Sequence, residues 1–420
     1  MSLKTTILYK KLQKRYSRRI NLDLSRIKKV LNVLGNPHLK MSNPCNVIGS
    51  DGKMSVLTSL KYFLISEKKR VTAFTSPHLC DVRERFWLKD RHINFKEMNK
   101  FVKIVEKTKL KLTLFELLTC IYILAASKKN EVSFNLIESG LFFKKDSTNL
   151  WKFPRAQIIT NINFQHQDWI YPKTINEICK QKVGYLSKNT TIYISKQDRK
   201  VLKIIKRILK KNPSKKVFPS IWKIQHKNKK IYYKDKKNSI PILNKNIKSK
   251  GLLNNLGLAI KIALDFGVSK NTIKKTIPKI KFDGRVQYVK NGKLKKILYK
   301  KEKLLIDGCH SKKSAENLFN YLKTIDGPIY GIWGMQKNKL PEIFLKSFNG
   351  IFKKIVTMKI PDEPNALSAV KLKEICRKQN YIAETSPNFS SALKQCSDKK
   401  RKTIVVFGSL YLVGKFLNAN

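Results

Sequence analysis

Acidic residues, cysteine patterns and long apolar runs are scarce in this sequence. It holds 28 acidic residues against 89 basic ones, and its seven cysteines are scattered without a CxxC pair or a regular spacing. Scattered cysteines indicate reduced thiols in a cytoplasmic protein, and argue against a disulfide framework or a zinc site. The longest apolar stretch, "LLTCIYILAA" at 117–126, is shorter than the roughly 18 residues of a membrane-spanning helix. We therefore expect no membrane span.

The sequence also lacks an internal repeat, a Pro- or Gly-rich linker and the features of a signal peptide. Its N-terminus is basic but has no apolar stretch followed by small residues. The 420 residues, 42% of them apolar, are enough to bury two cores. Length and composition therefore predict two domains.

The net charge of +61 permits two interpretations. Nucleic-acid binding is one, because cations placed beside phosphates release counterions. Biased residue usage is the other, because 75 of the basic residues are Lys, 14 are Arg, and they are spread along the whole chain. Specific recognition of phosphates and bases relies on Arg. We therefore expect any nucleic-acid binding to be non-specific.

Strand-like and helix-like segments alternate along the first part of the chain. Val47 and Ile48 end a predicted strand, and the apolar stripe that follows at 56–64 has helical spacing. The other predicted elements are "RVTAFTS", "SFNLIESG", "AQIITNIN" and "TIYIS" as strands, and "LFELLTCIYILAA" and "NNLGLAIKIALDFG" as helices. Such alternation is typical of an α/β fold with a mainly parallel sheet. Residues 200–250 are Lys-rich and poorly patterned, so surface helix and loop are expected there.

A second alternating series begins near residue 284 and predicts a smaller α/β domain. Its strands are "KLLIDG", "IYGIWG", "KIVTMKI" and "TIVVFGS", with a helix at "KSAENLFNYLKTI". We place the boundary at "KIKFDGRVQYV", which divides the chain into domains 1–281 and 282–420.

The stretch "CNVIGSDGKMS" at 45–55 has the features of a phosphate-binding loop. Gly49 and Gly52 form the turn, and Lys53 and Ser55 open the next helix. Backbone N–H groups at such a helix start face an anion, Lys reaches the phosphates and the Ser hydroxyl binds Mg²⁺. The unusual residue is Met54, which a helical backbone tolerates but a turn with positive φ does not.

Further motifs precede and follow this loop along the chain. They are "LGNPH" at 34–38, "TSPHLCDVRERFWL" at 75–88, "LTLFE" at 112–116, "ESGLFFKKDSTN" at 138–149, "ITNINFQHQ" at 159–167, "QKVG" at 181–184, "DGRVQ" at 283–287, "LLIDGCHSKKSAENL" at 304–318 and "VVFGSLYLVG" at 405–414. Together they resemble dihydrofolate synthase/folylpolyglutamate synthase, of the Mur ligase superfamily, over nearly the whole chain. "TSPHL" with "RER", and "GSLYLVG", are the features that resemble the folate ligases and not the cell-wall ligases.

The resemblance implies a P-loop ATPase-type Mur ligase central domain followed by a Rossmann-like α/β domain, with the active site in the cleft between them. It implies an ATP-dependent ligase of folate biosynthesis and one-carbon metabolism, which joins L-glutamate to dihydropteroate or to a folate glutamate tail through an acyl phosphate. The expected cofactors are ATP and Mg²⁺, with a monovalent cation as an option. The expected partners are these small molecules, and the expected state is a cytoplasmic monomer.

The resemblance also assigns site residues. Catalytic roles fall on Lys53, His166 and Lys182, the last matching a lysine that is carbamylated in the family. The metal ligands would be Ser55, Ser76, Glu138 and His166. The ATP contacts would be Gly49, Gly52, Lys53, Met54, Ser55, Asn255, Arg285, Asp307 and His310. The pterin side would be Thr113, Phe115, Glu116 and Asp146.

Three of these assignments have a purely structural alternative. His166 could be a loop histidine that makes one hydrogen bond. Lys182 could be a solvated surface charge in a Lys-rich chain. Phe115 could belong to the core of its helix, with Leu118 and Tyr122, instead of stacking on a heterocycle.

Several catalytic loops depart from the family pattern. The loop that usually reads GTNGKGS carries Asp51 in the place of Asn, and the Asp before the metal-site histidine is Gln165. Phe142 and Phe143 replace two glycines and should reshape or close the substrate pocket, while Lys144 stands for an arginine. In addition, "DGAHNP" becomes "DGCHSK", and a later acidic pair becomes Asn338 and Lys339.

These departures leave three functions open. The first is the glutamate ligase, and the second is a ligase of the same fold with another acceptor. The third is a non-catalytic protein that binds folate, nucleotide or polyanions. Glutamate-dependent ADP release would separate the ligases from the binding proteins.

Overall fold

The computed structural model describes residues 3–17, 21–128, 131–228, 230–244, 247 and 249–420. The chain divides into two compact units. The first comprises Met1–Lys245 and Leu252–Ile280, and the second comprises Asn246–Gly251 and Lys281–Asn420. Each is an α/β unit with a largely parallel sheet, which confirms the predicted fold class.

The first unit alternates strands with helices along most of its length. Its helices are α1 (Leu3–Arg15), α2 (Leu24–Val33), α3 (Lys53–Ser66), α4 (Phe95–Glu106), α5 (Leu114–Ser127), α6 (Ile175–Val183), α7 (Arg199–Leu209), α8 (Lys250–Asp265) and α9 (Lys270–Thr276). Its strands are β1 (Pro44–Ile48), β2 (Val71–Phe74), β3 (Phe86–Lys89), β4 (Arg91–His92), β5 (Phe134–Glu138), β6 (Ala156–Ile159), β7 (Thr191–Ile194), β8 (Lys215–Val217), β9 (Trp222–Lys227), β10 (Lys230–Asp235) and β11 (Ser239–Pro241).

The main sheet of this unit has the strand order β4-β3-β2-β5-β1-β6-β7-β8. Strands β2, β5, β1, β6, β7 and β8 run parallel to one another. Strand β3 runs antiparallel to β2, and β4 runs antiparallel to β3. Every residue of β1, β2, β5 and β6 is buried, as strands covered by helices on both faces require. The helical stripe at 56–64 is likewise buried in α3.

Residues 200–250 contain more regular secondary structure than expected. Beyond α7, strands β9, β10 and β11 form an antiparallel three-stranded sheet, so the expectation of helix and loop alone is wrong. Trp222 stacks on Tyr233 at 6.3 Å and packs against Gly257 of α8, where a Cβ would lie 2.4 Å from the indole. Lysines at the exposed strand positions mask the apolar alternation in the sequence. Positions 229, 245–246 and 248 lie outside the described residues.

The second unit is built on a six-stranded sheet of order β12-β13-β17-β14-β15-β16, in which only β12 is antiparallel to its neighbour. The strands are β12 (Gln287–Tyr288), β13 (Glu302–Asp307), β14 (Ile329–Trp333), β15 (Phe352–Thr357), β16 (Ala383–Thr385) and β17 (Lys402–Phe407). The helices are α10 (Lys312–Leu322), α11 (Pro341–Lys346), α12 (Ala369–Lys378), α13 (Phe389–Cys396) and α14 (Leu410–Ala419). Trp333, Phe344 and Phe407 stack in its core.

Among the described residues, no helix combines the length and apolarity that crossing a membrane requires.

Candidate functional site

Four parallel strands of the first unit end at one edge of the sheet, and each is followed by a predicted site segment. The strands β2, β5, β1 and β6 are neighbours in this order. Ser76 follows β2, Glu138 ends β5, the loop at 49–52 follows β1, and the segment at 160–166 follows β6. Ligands of open α/β sheets bind at the carboxyl ends of the strands, so this edge is the candidate site.

The loop between β1 and α3 has positive φ angles at both of its glycines. Gly49 has φ +152° and Gly52 has φ +90°. A Cβ would lie 2.0 Å from Thr160 Oγ1 at the first position and 2.7 Å from the Asn255 side-chain amide at the second, so both require glycine. Met54 lies in the first turn of α3, where the backbone is right-handed helical, and its Cβ is therefore tolerated.

Two lysines converge on this loop. Lys53 Nζ donates to Gly49 O at 3.1 Å and to Ser50 O at 3.4 Å. Lys182, on α6, is 1% exposed, and its Nζ donates to Gly49 O at 3.0 Å and to Leu141 O. Burial, and next the neighbouring Lys53, lower the pKa of Lys182 to about 7. The alternative of a solvated surface charge at Lys182 is therefore wrong.

The predicted metal ligands lie around the same edge. Glu138 is buried, and its Oε2 accepts a hydrogen bond from the Ser76 backbone N–H at 3.1 Å, which joins two of them directly. Ser55 is buried in the first turn of α3. His166 adopts a left-handed backbone with φ +64°, and its ring meets the Phe142 ring edge-on at 6.5 Å.

One carboxylate, two hydroxyls and one imidazole make an oxygen-rich donor set, which suits a hard cation such as Mg²⁺. Within the part of the chain that the structure describes, no three His, Cys, Asp or Glu side chains cluster as a metal site would require. The predicted set contains only two side chains of those types, Glu138 and His166. The fit therefore rests on hydroxyl oxygens and on oxygens that a nucleotide would bring.

The predicted pterin-side residues at the start of α5 have structural contacts of their own. Thr113 caps the helix by accepting from Glu116 N at 3.4 Å, and Glu116 Oε2 accepts from Thr113 N at 2.7 Å. Arg26 also donates to Glu116 Oε1 at 2.8 Å. Phe115 is half-buried and packs on Phe74 at 5.9 Å between ring centroids, so it is partly core and partly accessible.

The loop after β5 is organised by Asp146, which is buried. Its Oδ2 accepts from Gly140 N at 2.9 Å and Leu141 N at 3.3 Å, and burial raises its pKa despite these hydrogen bonds. Phe142 and Phe143 are buried in the apolar cluster between the sheet and α6. The rings fill core volume, and the expectation that they reshape or close a pocket stays a prediction.

The second unit gathers the remaining predicted nucleotide contacts at the carboxyl end of β13. Asp307 accepts from the backbone N–H groups of Val286 and Cys309, each at 2.8 Å. Burial raises the pKa of Asp307, and the positive charge of Arg285 opposes that shift. His310 Nδ1 lies 3.0 Å from Gly308 O.

Sequence reasoning missed two residues that contact the phosphate loop. Asn163 Nδ2 donates to Asp51 Oδ2 at 2.7 Å, and Asn161 O accepts from Ser50 N at 2.8 Å. It also gave no role to His78, which is partly buried and whose Nδ1 accepts from Arg85 Nε at 3.0 Å, while burial lowers its pKa to about 3, so it is neutral. Both asparagines stand in the motif at 159–167, but their contacts cross to a loop that is distant in sequence.

Known proteins match this chain along its length. Residues 289–419 match the family described as "Dihydrofolate synthetase, C-terminal domain". The dihydrofolate synthetase of Saccharomyces cerevisiae is 26% identical over 430 aligned residues, which cover 95% of this chain and 97% of the yeast protein.

Two solved structures share the fold. The folylpolyglutamate synthase of Mycobacterium tuberculosis complexed with ADP superposes with a TM-score of 0.87 at 19% identity, and covers 99% of this chain and 98% of that chain. The bifunctional folylpolyglutamate synthase/dihydrofolate synthase of Yersinia pestis, complexed with AMPPNP and a Mn ion, has a TM-score of 0.84 at 21% identity, with 99% and 97% covered. With the motifs in one order and matches along the whole chain, this protein is similar to the dihydrofolate synthase/folylpolyglutamate synthase family.

Proposed function

We propose that the protein is an ATP-dependent carboxylate–amine ligase that adds L-glutamate to dihydropteroate, to folate glutamate tails, or to both. The observation that carries this proposal is the meeting of the glycine-dependent loop, Lys53, Ser76 and Glu138 at one sheet edge, in a chain similar to this family. The first unit would bind ATP, and the second would be the Rossmann-like ligase domain.

In the proposed reaction, a substrate carboxylate oxygen attacks the γ-phosphorus of ATP and the bond to ADP breaks. The glutamate amine then attacks the acyl carbon, loses a proton, and phosphate leaves as the amide forms. Both reactants of the first step are anions, so the site must stabilise concentrated negative charge. Bound Mg²⁺ would supply part of that stabilisation.

The chain's own groups supply the rest. The backbone N–H groups at the start of α3 face the site, and Lys53 lies across the loop within reach of an anion there. Glu138, Ser55, Ser76 and His166 would hold the cation. Arg285 would bind nucleotide phosphate as a forked donor, with Asn255, Asp307 and His310 as further nucleotide contacts.

Lys182 has the properties that carbamylation needs, and we keep that modification as part of the proposal. Only a neutral amine adds CO₂, and a pKa of about 7 leaves about half of the buried amine neutral at neutral pH. We further propose a cytoplasmic monomer whose partners are ATP, L-glutamate and dihydropteroate or folates.

The test is ADP release by the purified protein with Mg-ATP, dihydropteroate and L-glutamate, with product mass as the check. Salt should be high enough to suppress polyanion contamination. We expect glutamate-dependent ADP release and a product heavier by one glutamyl unit. ATP binding without turnover would contradict the proposal and favour a binding protein.

Replacing Lys53 with Ala should lower turnover about 100-fold or more, because a charge that stabilises the transition state is lost. The variant should stay folded, which thermal unfolding checks, because Lys53 donates to backbone carbonyls of its own loop. Lys69→Ala, at an exposed position beyond the end of α3, is the matched control and should keep full activity. Wild-type rates in folded Lys53→Ala would overturn the assignment of the phosphate loop.

A further inference from the structure

The phosphate loop carries a carboxylate, Asp51, beside a site for anionic phosphates. Its Oδ2 accepts hydrogen bonds from Asn163 Nδ2 at 2.7 Å and from Gln165 Nε2 at 3.1 Å. Both donors belong to the loop after β6 that carries His166. Asp51 is therefore a bridge between the phosphate loop and the loop of a predicted metal ligand.

Backbone hydrogen bonds hold the same two loops together. Asn161 O accepts from Ser50 N at 2.8 Å and from Asp51 N at 3.1 Å. Asn163 N donates to Ser50 Oγ at 3.2 Å. Gln165 Nε2 also donates to Asn163 Oδ1 at 2.7 Å. This second contact orients the amide so that its N–H₂ group faces Asp51.

The hydrogen bond between Gln165 Nε2 and Asp51 Oδ2 joins an amide and a carboxylate. One amide and one carboxylate make a charge-assisted hydrogen bond with a single negative charge. Two carboxylates at this distance would repel, and two amides would lose the charge. A carboxylate and an amide are therefore complementary at these two positions.

We propose that Asp51 and Gln165 form a carboxylate–amide pair, which positions the His166 loop on the phosphate loop and keeps one negative charge beside the loop of that predicted metal ligand. This inference rests on the proposed function for its catalytic consequence. The pair acts through the loops that it joins, so both are positioning residues.

Four variants test the pair: Asp51→Asn, Gln165→Asp, the exchange Asp51→Asn/Gln165→Asp, and the control Asp51→Asn/Asn161→Asp. The control has the same net charge as the exchange but places the carboxylate elsewhere in the same loop. Three readouts apply, namely the Mg²⁺ dependence of turnover, the calorimetric affinity for Mg-ADP, and thermal unfolding of the protein without metal or nucleotide.

We expect Asp51→Asn to raise the half-saturating Mg²⁺ concentration about tenfold, because the charge and a charge-assisted hydrogen bond are lost. Gln165→Asp should lower kcat about tenfold and lower the metal-free melting temperature, because two carboxylates repel. The exchange should return the Mg²⁺ dependence and the Mg-ADP affinity to within about threefold of wild type, and the melting temperature to the wild-type value. The reason is that the interaction energy belongs to the pair. The control should remain as impaired as Asp51→Asn.

Recovery in the control as complete as in the exchange would overturn the proposal, because net charge alone would then explain the effect. An exchange no better than the single variants would overturn it too. If Gln165→Asp does not fold, the comparison of the exchange with the control still tests the proposal. If the wild-type protein shows no turnover, the proposed function fails, while Mg-ADP affinity and metal-free unfolding still test the pair.

Discussion

At the scale of single residues, Lys182 is buried, whereas a lysine in such a Lys-rich chain is expected to be solvated. Its ammonium group is enclosed between Gly49 O and Leu141 O, with the Phe142 ring 5.2 Å from its Nζ. The ring occupies a position where the family pattern has glycine. In its unmodified form, Lys182 thus ties α6 to the phosphate loop.

The depressed pKa of Lys182 predicts a specific pH dependence of stability. Its pKa is about 7 in the folded protein and 10.5 in the ordinary state, so between these values the unfolded chain binds more protons. The free energy of unfolding should therefore rise with pH over this window, by up to about 1.4 kcal/mol per pH unit from this group. Below pH 7 the contribution should be flat.

Denaturant unfolding of wild type and Lys182→Met between pH 6 and pH 10, on unmodified protein, checks this expectation. The difference between the two proteins isolates Lys182, because all other lysines cancel. The difference should shift in favour of wild type as pH rises. A pH-independent difference would contradict the lowered pKa.

At the scale of elements, the start of α5 illustrates a structural role beside a predicted functional one. Thr113 and Glu116 form a reciprocal capping box, and Arg26 pairs with Glu116 from α2. The helix that follows is buried on nearly all sides, so its position depends on this fixed start. These contacts account for both polar residues without a bound ligand.

Replacing Thr113 with Ala should therefore destabilise the protein by about 1 kcal/mol, because the backbone N–H of Glu116 loses its acceptor. Thr113→Ser keeps the hydroxyl and should stay close to wild type in denaturant unfolding. Thr174→Ala, which removes the cap of α6, is a matched control for loss of a cap away from α5. Unchanged stability with a raised KM for dihydropteroate in Thr113→Ala would instead favour the pterin role.

At the scale of the whole molecule, the net charge is +61, and α7 shows how a helix carries such charge on its solvated face. In α7, Val201, Ile205 and Leu209 are buried, while Lys206 and Arg207 of its last turn point away from that face. Lysines added to such faces leave the core pattern intact. The charge therefore alters the long-range field of the protein and not its fold.

Binding to DNA or RNA should accordingly be non-specific. We expect unrelated sequences to bind equally well, and the affinity to fall about 1000-fold or more between 50 mM and 200 mM salt, through counterion release. Fluorescence anisotropy with several oligonucleotides measures both. A sequence preference that persists at 200 mM salt would contradict this expectation and reopen nucleic-acid recognition as a function.

The sequence by itself determined the α/β class, the order of most strands and helices, and the phosphate loop, because apolar periodicity and glycine turns are local signals. It also carried the family resemblance. Only the tertiary structure decided that Phe142 and Phe143 lie in the core, that Lys182 is buried, and that β9 to β11 form a sheet. The contact between Asp51 and Gln165 was equally hidden, since 114 residues separate them in the chain. Burial and long-range hydrogen bonds depend on which loops the parallel sheet brings to one edge, and no local pattern contains that information.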